Sequence, residues 1–312
     1  MKTKKTPVTF YIKIIVSLTL LTLIIRVLGI NNITNILLKT DPIPLIYAAF
    51  FVIFQTLFKS LRWNNIIKIY KKKLTLSESN SITLISLAFG IVTPGRVGEF
   101  IKAKYLRDFI KLNYVSAFST VLIDKAFDLI TVVIVGLLGV TLLRFQIPFS
   151  EILVSILILI LLILITQLLL FENSVKLILK IIPKMIVQKL KNFNFSRKIY
   201  LKALGYSFLI WSTYIIESIF IFKALNISNI PVSGIMVVVS LMALGSLIPI
   251  SFGGIGVREL IASSFLLILG ITPEISVTFA ILYTIISFGF PSLVGGVLYI
   301  FTRKKQRNIA QE

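Results

Sequence analysis

A chain of 312 residues that is 57% hydrophobic, with uncharged runs long enough to span a hydrocarbon core, cannot hide its apolar surface in water and reads as an all-α polytopic integral membrane protein. Continuous blocks such as ILVSILILILLILITQLLL exclude the alternating strands of a membrane β-barrel. The formal net charge of +21 points to anionic lipid headgroups rather than nucleic acid, and the lack of cysteine and histidine removes thiolate nucleophiles, disulfides and His-based metal or acid–base sites.

In chain order, MKTKK followed by an apolar run has the look of a signal peptide, but no small-residue cleavage site follows and polar NNITN ends the run, so a retained first span is expected. Spans are predicted at about 11–30, 43–62, 115–143, 151–171, 203–223 and 275–301. Two shorter units interrupted by Gly and Pro fall at about 82–112 and 232–270. Lys and Arg concentrate at the N-terminus, after the second span, in 172–202 and in the tail, whereas the loops near 31–42, 144–150, 224–231 and 270–274 contain only Lys39 and Arg144. This bias predicts a plasma-membrane protein with both termini cytoplasmic, provided each interrupted unit enters and leaves on one side. Lys102, Lys104, Arg107 and Lys111 put the first unit's flank on the cytoplasmic side. Within the basic segment 172–202, Lys176, Lys180 and Lys184 form one row among Leu and Ile, as on an amphipathic helix lying on the inner surface; a solvated basic loop is the alternative.

The interrupted units carry matched motifs. TPGRVGEF (Thr93 to Phe100) and PISFGGIGVREL (Pro249 to Leu260) each combine Pro, a Gly-x-x-Gly, Arg and Glu. Gly95 and Gly98 match Gly253 and Gly256, close to half the chain away. Halves of about 1–145 and 146–312 then each read two spans, a broken re-entrant unit and a further span, within a single transmembrane domain. Because the halves start on opposite sides, the pattern is that of an inverted-topology repeat, whose broken helices meet near the midplane and form the substrate site. Unwound backbone in lipid is tolerated only inside protein or beside water, where it offers N–H groups and helix dipoles to an anion. Arg96 and Arg258 are candidates for bidentate phosphate bonds, and Glu99 and Glu259 for neutralising those arginines in an empty site. The structural alternative is that Pro and Gly only kink helices and each Arg–Glu pair is a buried salt bridge.

A third cluster, VLIDKAFDLI, sets Asp124 and Asp128 on one helix face, with Lys125 placed to pair with Asp128 and Arg96 the expected partner of Asp124. Glu217, alone in WSTYIIESIFIF, suits a coupling role or a structural hydrogen bond. Gly-Gly-Ile-Gly lacks the strand context of a dinucleotide fingerprint, and the two N-glycosylation matches are of the kind chance supplies.

TPGRVGEFIKAKYL, then IDKAFDL, then IPISFGGIGVRELI resembles the transmembrane flippase-like domain of the lysylphosphatidylglycerol synthase family, over nearly the whole chain. The resemblance places Pro94, Gly95, Arg96, Gly98 and Glu99 on the family's first motif and Gly253, Gly254, Gly256, Arg258 and Glu259 on its second. Asp124-Lys125 stands where the family pattern has Glu-Arg, with Asp128 on the later acid. Full-length synthases carry a soluble aminoacyl-transferase domain after the membrane part, whereas this sequence ends at TRKKQRNIAQE, so the expectation is a free-standing transporter rather than an enzyme, with no cofactor. Its implied partner is a charged-headgroup lipid, an aminoacyl-phospholipid or a polyprenyl-phosphate-linked sugar, moved between leaflets. The alternatives are a membrane enzyme using Asp124, Asp128 and Glu99 with Mg²⁺ on a lipid phosphate, and an ion-coupled carrier or scaffold.

Overall fold

The helix Pro42–Ile67 shows how these elements form. Its N-cap Asp41 accepts the backbone N–H of Ile43 at 2.9 Å, and Pro42 occupies the first turn, where no intrahelical donor is lost. Ile46, Phe50 and Ile53 along it are more than half exposed, while Gln55, Lys59 and Arg62 are buried. That is the reverse of a water-soluble helix. An apolar exterior around a charged interior suits a bundle surrounded by hydrocarbon.

The structure, a computed structural model, describes residues 26–143, 196–248, 251 and 253–309, together with 19 and 22–24. The predicted span 151–171, most of the first span and the lysine row at 175–192 lie outside the described residues. The helices are α1 (Ile30–Leu38), α2 (Pro42–Ile67), α3 (Leu76–Ile91), α4 (Ile101–Ile110), α5 (Tyr114–Leu142), α6 (Arg197–Ala224), α7 (Val232–Gly245), α8 (Val257–Ile268), α9 (Pro273–Thr284) and α10 (Phe290–Ile309). No β-strand occurs among the described residues. Pro42–Tyr70, Arg197–Ala224 and Pro273–Thr302 are long and apolar enough to cross a membrane. A π turn, Ile285–Gly289, joins α9 to α10 inside the third of these.

One expectation needs correction. The stretch 31–42, read as a loop from its polar residues, is helical over Ile30–Leu38. Thr34 Oγ1 donates back onto the helix at Ile30 O, 3.0 Å, and Asn32 Nδ2 to Leu28 O just before the Gly29 cap, 2.9 Å, so these side chains satisfy local carbonyls instead of ending the helix.

Both interrupted units are helix–break–helix, α3 and α4 around the first break and α7 and α8 around the second. Neighbour relations recur between the halves. α3 packs on α10 as α7 packs on α5, α4 lies against α5 as α8 lies against α9, and α2 packs along α6. Glycines permit the closest of these approaches. A Cβ on Gly139 of α5 would stand 2.9 Å from Ser233 O of α7, and one on Gly295 of α10 only 2.0 Å from Leu84 O of α3. One apolar cluster gathers around Trp63, Ile82, Leu106 and Val121, and a larger one around Ile210, Phe222, Val238 and Phe279, where Phe222 and Phe279 stack at 4.1 Å. The candidate site draws its walls from both halves.

Candidate functional site

The first break is held by one hydroxyl. α3 begins on a capping box, Thr75 with Glu78, and ends at Ile91. Thr93 Oγ1 then donates to Phe89 O at 2.8 Å and accepts the N–H of Gly98 at 2.7 Å, tying the helix end to the turn beyond Pro94. Gly95 and Arg96 both adopt left-handed backbone, with φ of 59° and 58°. For an arginine this costs on the order of 1–3 kcal/mol and persists where the surroundings over-determine it. Gly98 admits no side chain, since a Cβ would lie 2.0 Å from Phe89 O. Glu99 is buried and folds against Gly90.

The second break reaches the first. A Cβ on Gly253 would meet Ile91 O at 2.8 Å, so the two interruptions are in backbone contact. Gly254 and Gly256 are also left-handed, and the Gly256 N–H donates to Glu259 Oε2 at 2.6 Å. Glu259 therefore caps α8 and does not neutralise Arg258, contrary to expectation; at the third helical position its carboxylate reaches back to its own N-terminus. Among the described residues no carboxylate lies within 4.0 Å of Arg258. Its guanidinium donates to Thr284 Oγ1 at 3.3 Å and stacks 4.2 Å from the centre of the Phe288 ring. Arg96 stacks on that same ring at 4.7 Å. The π turn supplies Phe288, so one aromatic residue gathers an arginine from each break.

The acidic cluster pairs differently from the sequence reading. Arg62 of α2 donates through Nε to Asp124 at 2.8 Å and through Nη1 to Asp128 at 2.7 Å, and it also reaches Ser207 at 3.0 Å. Lys102 Nζ takes the other oxygen of Asp124 at 3.1 Å. Lys125 pairs with Glu99, whose second oxygen stands 2.6 Å from Arg96 Nε without hydrogen-bond geometry. So Asp124 is not the partner of Arg96, nor Asp128 of Lys125. α2 lies beside α5 and sets one guanidinium between the two aspartates, while Lys125 meets the break between α3 and α4. Lys102, read as a cytoplasmic flank, is 2% exposed.

These groups surround a cavity of about 310 Å³, at the small end of the ~300–1,000 Å³ typical of ligand sites. Six basic side chains line it (Lys59, Arg62, Arg96, Lys102, Lys125, Arg258) against three carboxylates (Glu99, Asp124, Asp128). Tyr214, Tyr283, Trp211 and Phe288 complete much of the wall. Pro94, Gly95, Gly98, Gly253, Gly254, Gly256 and Glu259 shape the turns and do not line it. Glu217 also stands apart: Gln55 Nε2 donates to one of its oxygens and Ser287 Oγ to the other at 2.6 Å. No group of His, Cys, Asp and Glu suited to a metal ion occurs among the described residues.

A family model for the lysylphosphatidylglycerol synthase TM region matches residues 10–295, taking in both breaks and the acidic cluster. The chain belongs to that family. It is also similar to the UPF0104 membrane protein PH1989 of Pyrococcus horikoshii, 25% identical over 94% of this chain and 97% of the relative. The UPF0104 membrane protein MJ1595 of Methanocaldococcus jannaschii is likewise 25% identical, over 94% and 95% of the two chains. Membership makes this a membrane protein, as its apolar exterior requires.

Sequence reading missed several lining residues of this family member. Lys59 and Arg62 fell at the end of a predicted span, where basic residues mark an interface; their three-residue spacing, which puts both on one helix face, was the available signal. Tyr214 and Tyr283 carried none, being ordinary aromatics of apolar runs. Phe288 sits five residues beyond Tyr283 in TIISFGF, and only the π turn aims it at both arginines.

Proposed function

We propose that the protein is a lipid translocase that moves a lipid with a charged headgroup between leaflets without covalent change. The observation that carries this reading is the convergence of two helix breaks on one charged cavity, with Arg96 and Arg258 both stacked on the Phe288 ring. Charges in the interior of a membrane bundle are costly and are kept for substrates, ions or voltage. The headgroup exchanges its hydration for the arginines while its tail stays in lipid. The recurring neighbour relations support an inverted-topology repeat, in which rocking one half against the other opens the cavity to each leaflet in turn. The Lys and Arg bias supports cytoplasmic termini in a plasma membrane.

Proteoliposomes with fluorescent lipids, assayed by dithionite accessibility, test this directly. Arg96→Ala and Arg258→Ala are each expected to abolish lipid exchange while keeping a monodisperse peak in detergent. Wild-type exchange by both variants removes the cavity from the mechanism. Metal-dependent turnover of a lipid phosphate would favour the enzyme reading instead.

A further inference from the structure

Every carboxylate lining the cavity is already engaged. Asp124 is held by Arg62 and Lys102, Asp128 by Arg62, and Glu99 by Lys125 and Arg96. Two cations, by contrast, have no carboxylate within 4.0 Å among the described residues. Arg258 is 2% exposed and makes one side-chain hydrogen bond among the described residues, a long one to Thr284. Lys59 is 9% exposed and donates to Tyr214 Oη at 2.6 Å. A guanidinium has five N–H donors in a planar fork that matches two phosphate oxygens. Arg96 meets Glu99 through Nε alone, and its terminal Nη donors make no hydrogen bond among the described residues.

The site is therefore asymmetric in what it offers. An anion finds unpaired donors on a buried arginine, where a charge without a partner is most costly. An ammonium meets six cations against three carboxylates, each already held by at least one of those cations, and is repelled on balance. We infer that the headgroup is a phosphate of net negative charge with no ammonium, such as a phosphatidate or polyprenyl phosphate, and that aminoacyl and choline headgroups are discriminated against. This deepens the translocase reading and rests on it for the lipid tail alone; the phosphate recognition comes from the cavity itself. Phe288 backs both guanidiniums, at 4.7 Å and 4.2 Å from its ring centre, and so holds an arginine from each break at one place in the cavity wall.

Binding in detergent tests the inference without transport. Trp211 lines the cavity and is one of only two tryptophans in the chain, so intrinsic fluorescence reports occupancy. The probes are dioctanoyl phosphatidic acid, dioctanoyl lysyl-phosphatidylglycerol, dioctanoyl phosphatidylcholine and glycerol 3-phosphate. Phosphatidic acid is expected to bind at least ~10-fold tighter than either ammonium-bearing lipid, with Arg258→Gln losing at least ~10-fold and Arg258→Lys an intermediate amount. Arg258→Gln breaks no ion pair; were it not to fold, the wild-type preference among probes still decides. Equal or tighter binding of lysyl-phosphatidylglycerol, unaltered binding by Arg258→Gln, or no binding of phosphatidic acid overturns the inference. Competition by glycerol 3-phosphate at the affinity of the lipid upholds phosphate recognition and sinks the lipid translocase reading. Tight lipid binding without exchange in proteoliposomes likewise sinks only that reading.

Discussion

Replacing Arg62 by Met exposes how the buried charges depend on one another. The guanidinium is fully buried and holds Asp124 at 2.8 Å and Asp128 at 2.7 Å, while Lys102 shares Asp124 at 3.1 Å. Two cations and two anions balance in this group. Met keeps much of the stem's packing but leaves one carboxylate in excess, and breaking a buried pair from one side costs about 3–5 kcal/mol. At roughly 2–4 °C per kcal/mol, the apparent melting temperature falls by roughly 6–20 °C. Adding Asp128→Asn restores the balance, because Asp124 keeps Lys102 and the residue removed is the one whose side chain was 29% exposed. The double variant is expected to regain at least half the loss. Melting followed by tryptophan fluorescence in detergent, at one fixed scan rate, measures both. A drop below about 2 °C for Arg62→Met, or a double variant less stable than the single, refutes the charge-balance reasoning.

Adjacent glycines of α10 should respond with opposite signs. Gly295→Ala forces a Cβ to 2.0 Å from Leu84 O and is expected to destabilise by about 1–3 kcal/mol, whereas Gly296→Ala meets nothing within 4 Å and is neutral or stabilises by about 0.5–1 kcal/mol; the same melting assay separates them. Gly98→Ala puts its Cβ equally close to Phe89 O, so it should lose both thermal stability and lipid exchange. Phe288→Leu keeps an apolar side chain but removes the surface on which both arginines stack; lipid exchange should fall at least ~10-fold in proteoliposomes, more than the same change at Phe279, a core residue outside the cavity lining. Glu217→Leu leaves Gln55 and Ser287 without their acceptor and should cost about 1–3 kcal/mol for each unpaired group, while Glu217→Gln, which keeps one carbonyl oxygen, costs less.

The membrane class, the helical content and the places where the chain must break were all legible in the sequence, because they depend on local quantities. Run length sets span length, and Pro94, Gly98 and Gly253 stand where a regular helix cannot continue or where backbone must approach backbone. Helix starts obey the same local chemistry, with Asp41 and Thr75 as N-caps, although the reading from sequence did not use it. Partner choice was decided elsewhere. Spacing within α5 shows that Asp124 and Asp128 share a face but not which cation comes to it, and helix packing brought Arg62 from a segment 62 residues away. Glu259 differs, since its carboxylate is captured by its own helix end three residues back; what the bundle adds is Phe288 beside Arg258, which has no carboxylate partner among the described residues. Coulomb attraction between long side chains favours whichever partner packing brings within a few ångströms, and that proximity belongs to the assembled bundle rather than to any one stretch of residues.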